Sequence, residues 1–112
     1  MKIAIIGSGN LGLSIAKGLV YNNTYTSLYL TKRELNSIKK WEEYNNVKIT
    51  TDNQEAVKNA DIVIFTVQPG QFDGILEQIK GVLTDKHILI SAIKAVSYTH
   101  LRAHDTSDYR VC

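Results

Sequence analysis

From Ile3 to Ile6 the chain is continuously apolar, the pattern of a strand buried on both faces. Leu11, Ile15 and Leu19 then recur every four residues beside Ala16 and Val20, which predicts a helix that Asn22-Asn23 breaks. Ser27 to Thr31 (SLYLT) reads as a second strand. Glu34 to Tyr44 reads as a polar helix with Leu35, Ile38 and Trp41 along one side. Val47 to Thr50 is a short third strand, and Asn53 is placed to cap a short helix carrying Ala56, Val57 and Ala60. Asp61 to Val67 (DIVIFTV) is the strongest strand pattern in the chain. Gln68-Pro69-Gly70 reads as a turn. Phe72, Ile75, Leu76, Ile79, Val82 and Leu83 trace an amphipathic helix, and His87 to Ala92 a fifth strand.

Strands alternating with helices imply parallel pairing through right-handed crossovers. The predicted fold is therefore α/β, a Rossmann-type open parallel sheet of order 3-2-1-4-5 with helices on both faces. The order reverses between the first and fourth strands, and ligands bind outside the carboxyl ends of the strands at such a point. The segments beside it are the GSGNLG turn and the VQPG turn.

Composition narrows the picture modestly. A length of 112 residues predicts one domain with one core. The formal charge of +2 is too small to argue for a nucleic acid or a membrane surface as partner. Cys112 is the single cysteine, so no internal disulfide can form and a reducing compartment is expected. The MKIAII start ends at Gly7, too early for a signal peptide, and no stretch approaches the roughly 18 apolar residues of a membrane span. A cytoplasmic protein is the expectation.

Gly7-Ser8-Gly9-Asn10-Leu11-Gly12 fits G-x-G-x-x-G. The pattern alone is weak, and a tight turn without a ligand would use the same glycines. Here it follows a buried strand, opens a helix and starts a βαβ unit, the context in which it marks a dinucleotide site. Gly7 permits the tight turn, Gly9 lets a pyrophosphate approach the backbone, and Gly12 lets helix and strand pack closely. The amides and dipole of the helix start favour the anion. The second strand ends Thr31-Lys32-Arg33, without the acid that accepts from the ribose 2′-OH of NAD. A 2′-phosphate fits the Thr31 hydroxyl and the two cations, so NADP is the expected cofactor.

Three stretches, IAIIGSGNLG, TDNQEAVKNADIVIFTVQPGQFDGILEQIK and KHILIS, make Met1 to about Ala95 resemble the amino-terminal domain of the pyrroline-5-carboxylate reductases. That family has an Asn before its third helix and usually V-K-P after the fourth strand; here Gln68 replaces the Lys. The resemblance implies that Asn53, Val67, Gln68 and Pro69 line the cofactor. It also implies hydride transfer from NADPH to the C=N bond of pyrroline-5-carboxylate, a small-molecule substrate, giving proline. A second, all-helical domain would follow, forming the homo-oligomer and supplying most substrate contacts. This sequence ends before such a domain, so the chain is expected to bind cofactor but to catalyse little or nothing by itself, and no catalytic residue is assigned. The alternatives are a related NADP-dependent dehydrogenase acting on β-hydroxyacids or other imines, and a non-catalytic nucleotide-binding module.

The dinucleotide-binding domain is thus expected over residues 1–95, with a distinct tail over 96–112. In the tail His100, His104 and Cys112 suggest a metal site, and an unstructured end is the plainer reading. A third reading fits better. VSYTHLRAH resembles a translation of the transposase end and adapter used in sequencing libraries, so the tail is expected to be non-native, with no metal bound.

Overall fold

The structure is a computed structural model that describes residues 1–92. The expected boundary near residue 95 and every expectation about the tail, its histidines and Cys112 lie outside the described residues.

Five parallel strands form one sheet: β1 (Lys2–Ile6), β2 (Ser27–Thr31), β3 (Val47–Thr50), β4 (Ile62–Phe65) and β5 (Ile88–Ser91). Their order is β3-β2-β1-β4-β5, as the alternating pattern predicts. Register runs from Ile3 beside Leu28 on one side to Ile3 beside Ile62 on the other. Alternate residues of β1 then enter opposite faces. Ala4 and Ile6 join Val63, Phe65 and Leu89 under α2 (Asn53–Lys58) and α3 (Pro69–Ile79). Ile3 and Ile5 join Leu28, Leu30 and Ile64 under α1 (Asn10–Asn22) and a 3₁₀ helix at Leu35–Glu43. The expected single core is therefore two apolar layers divided by the sheet. Burial on both faces is why the strands read as unbroken apolar runs.

Four local expectations are corrected. The Glu34–Tyr44 segment is 3₁₀ rather than α, with Glu34 as its cap accepting from the Asn36 amide. Leu35, Ile38 and Trp41 are three apart, the repeat that a 3₁₀ turn places on one side. Leu11 is 48% exposed, so the buried stripe of α1 runs instead through Gly12 and Ala16. Gln68-Pro69-Gly70 is no free-standing turn: Gln68 is held extended before the proline as the cap, and Pro69 already opens α3, where its missing N–H costs nothing. The same helix stops at Ile79 and tightens into a 3₁₀ turn over Lys80–Val82.

The fourth concerns the start of α2. The cap is Asp52, which accepts from the amides of Gln54 at 2.9 Å and Glu55 at 3.4 Å; Asn53 is already inside the helix. Asp52→Ala is expected to cost about 1 kcal/mol, the usual worth of such a cap, read as a lower urea midpoint. No change in the midpoint would show that this cap contributes nothing.

Candidate functional site

At the carboxyl ends of β1 to β4 lies an open cavity of about 650 Å³. Its walls come from the glycine turn, the segment after β2, Thr51 and Asn53, the segment after β4, and one side of α3. It therefore occupies the switch point between β1 and β4.

The three glycines do different work. Gly7 holds φ at +81°, a conformation that L side chains rarely adopt, and a Cβ there would run into Val67. A Cβ on Gly12 would stand 2.7 Å from the Thr66 hydroxyl and 3.2 Å from Ile5, so this glycine sets the distance from helix to sheet. A Cβ on Gly9 would meet nothing within 4 Å. Packing within the protein therefore does not require glycine at that position, and Gly9 lines the cavity.

The first intrahelical bond at the start of α1 is Leu13 N–H to the Gly9 carbonyl. The amides of Asn10, Leu11 and Gly12 precede it and have no acceptor within the helix. Gly9 caps the helix with no side-chain bond, and no acid stands in the first turn. Asn10, Leu11 and Gly12 do not themselves line the cavity.

Two of the polar side chains expected at the cofactor have partners within the fold. Ser8 is fully buried; its amide donates to the Thr31 carbonyl at 2.7 Å and its hydroxyl faces the Ile5 carbonyl at 3.4 Å. Ser8 does not line the cavity, and its amide and hydroxyl both have partners within the fold. Thr31 is 2% exposed, and its hydroxyl accepts from the Gly7 amide at 3.1 Å. Thr31 also lines the cavity, and its hydroxyl, while accepting from Gly7, keeps its own hydrogen to donate.

Lys32 and Arg33 both line the cavity, and neither is ion-paired with a described carboxylate. Glu34 lines it too, but its carboxylate is engaged by the Asn36 amide at 2.6 Å. Asn53, Val67 and Gln68 reach the cavity, whereas Pro69 does not line it. Asn53 donates to the Gln78 side chain at 2.9 Å, which ties α2 to α3 at the rim.

Sequence reasoning missed Thr51, Thr66 and the α3 wall of Gly70, Gln71, Gly74, Ile75 and Gln78. The last four have helical spacing (i, i+3, i+4, i+7), so a second, mostly polar stripe on α3 was available as a signal. Thr66 directly follows β4, at the switch point that the topology had already located.

A family described as NADP oxidoreductase, coenzyme F420-dependent, matches residues 2–95. The chain is 41% identical over 105 residues to pyrroline-5-carboxylate reductase 2 of Dictyostelium discoideum, covering 92% of this chain and 35% of that protein. It is 42% identical over 110 residues to pyrroline-5-carboxylate reductase 1 of the same organism, covering 95% of this chain and 19% of that one. Among solved structures, a pyrroline-5-carboxylate reductase from Coxiella burnetii superposes with a TM-score of 0.74 at 32% identity. That match covers 82% of this chain and 35% of the other. The chain thus spans about a third or less of the length of these relatives.

Proposed function

This chain belongs to the family described as NADP oxidoreductase, coenzyme F420-dependent, and on that premise we propose that it is the NADPH-holding domain of a pyrroline-5-carboxylate reductase. The observation that carries the reading is the open space at Gly9, a residue that lines the same cavity as Lys32 and Arg33, neither of which is ion-paired among the described residues. Identity of 41% to a reductase of that name supports the substrate.

The residues present suit the dinucleotide. The amides of Asn10, Leu11 and Gly12 would take the pyrophosphate, whose charge the helix dipole favours. Lys32 and Arg33 would take the 2′-phosphate, Arg33 through its planar fork. Asn53, Val67 and Gln68 would line the remainder, with Pro69 fixing the start of α3 behind them. When bound, NADPH supplies the hydride that converts the C=N bond of pyrroline-5-carboxylate to the amine of proline. The protein's part in this domain is to hold and orient that cofactor and to neutralise its phosphates. We place the substrate contacts and a homo-oligomeric interface in sequence beyond this chain, because the chain spans only 35% of the relative's length. Among the described residues no helix is long and apolar enough to cross a membrane, which is compatible with the cytoplasmic location proposed here.

The substrate is tested by expressing the full-length protein that carries this domain and following NADPH oxidation with pyrroline-5-carboxylate. Turnover of that imine is expected; turnover only of a β-hydroxyacid or of a different imine would contradict the proposal. Cofactor choice is tested within the chain. Arg33→Ala is expected to weaken NADPH about tenfold and leave NADH nearly unchanged, the loss of one charge-assisted contact. An equal effect on both cofactors would remove the 2′-phosphate from Arg33.

A further inference from the structure

The peptide groups of Gly7 are gripped from both sides of β1 by threonine hydroxyls. From β2, the Thr31 hydroxyl accepts the Gly7 amide at 3.1 Å. From the end of β4, the Thr66 hydroxyl donates to the Gly7 carbonyl at 2.8 Å, with the Ile6 carbonyl at 3.0 Å sharing the same hydrogen. Gly7 is the residue with φ at +81°, and its orientation decides where Gly9 and the first amides of α1 point.

The Thr66 hydroxyl is not needed to satisfy either carbonyl. Ile6 O already accepts from the Thr66 amide at 3.0 Å, and Gly7 O already accepts from the Gly9 amide at 2.7 Å. Removing the hydroxyl would leave no buried carbonyl orphaned, so its cost to stability is small. What it adds is direction: it pulls the Gly7 carbonyl toward β4 while Thr31 holds the preceding amide toward β2. We infer that Thr66 is a positioning residue for the pyrophosphate turn, acting through Gly7 with Thr31 as its counterpart. This inference rests on the reading of the cavity as an NADPH site. Thr66 acts on the turn in the ligand-free protein, before any cofactor arrives, and so pre-organises the anion site.

The test compares Thr66→Val, which keeps the shape and loses the hydroxyl, with Thr66→Ser, which keeps the hydroxyl. Each is titrated with NADPH and with adenosine 2′-monophosphate, which lacks the pyrophosphate. Thr66→Val is expected to bind NADPH about tenfold more weakly, to bind the monophosphate as before and to melt near the original temperature. Thr66→Ser is expected to restore NADPH binding. In the ligand-free Val variant the amide resonances of Gly9 and Asn10 are expected to shift; a hydroxyl that merely touched the cofactor would leave them in place. Unchanged NADPH affinity in Thr66→Val, unshifted ligand-free amides, or equal weakening of both ligands would overturn the inference while leaving the cavity reading intact. Failure of the unsubstituted chain to bind NADPH would overturn the cavity reading and this inference with it.

Discussion

Gly9→Val is expected to weaken NADPH binding by at least about a hundredfold, or ~2.7 kcal/mol, and to leave the melting temperature nearly unchanged. The two halves of this expectation have separate grounds. A Cβ on Gly9 meets nothing within 4 Å, and the residue sits in extended backbone at φ −84° and ψ −155°, with no positive φ that would reserve the position for glycine. The fold therefore has no objection to valine. The ligand does, because the added carbons would fill the space through which a pyrophosphate reaches the amides of α1. A calorimetric titration beside a thermal melt reads both quantities. Unaltered binding in a folded Gly9→Val protein would mean that the ligand does not lie on this turn.

The second large effect is on stability. Phe65→Ala is expected to cost about 3–5 kcal/mol, the usual penalty for emptying a buried aromatic site. Phe65 is 1% exposed at the end of β4 and meets Phe72 of α3 edge to face, with ring centroids 5.1 Å apart. The contact joins the sheet to the helix that walls one side of the cavity. Domains of this size hold only about 5–15 kcal/mol in total, so the variant should be largely unfolded in mild urea. A loss below about 1 kcal/mol would show that α3 is not held to β4 in this way.

The sheet order was legible because each strand is buried on both faces, and the helices between them force parallel pairing. The glycine roles were legible for a related reason. Strand, tight turn and helix in succession leave Gly7 and Gly12 little choice of surroundings, and the structure gives Gly7 the positive φ of a tight turn and Gly12 the close packing expected. Other features needed three dimensions. The spacing of Leu35, Ile38 and Trp41 fits a 3₁₀ turn as well as one side of an α-helix, and only packing decides. Asp52 and Asn53 are adjacent and both are good caps, so the sequence did not separate them. The partners of Ser8 and Thr31 within the turn were not legible, because a sequence shows polar groups without their partners. Here β1 and β2 lie close enough at their carboxyl ends for the turn to use both side chains and both backbones. Thr66 was passed over for the same reason: its hydroxyl matters only once β4 lies beside β1.

The central claim, an NADP-selective dinucleotide site at the β1–β4 switch point, is tested most directly by titrating the 112-residue chain with NADPH and NADH side by side. Saturable binding of one NADPH per chain is expected, at least about tenfold tighter than NADH, because Lys32 and Arg33 meet a phosphate that NADH lacks. Equal affinity for the two, tighter binding of NADH, or no saturable binding of either would contradict it.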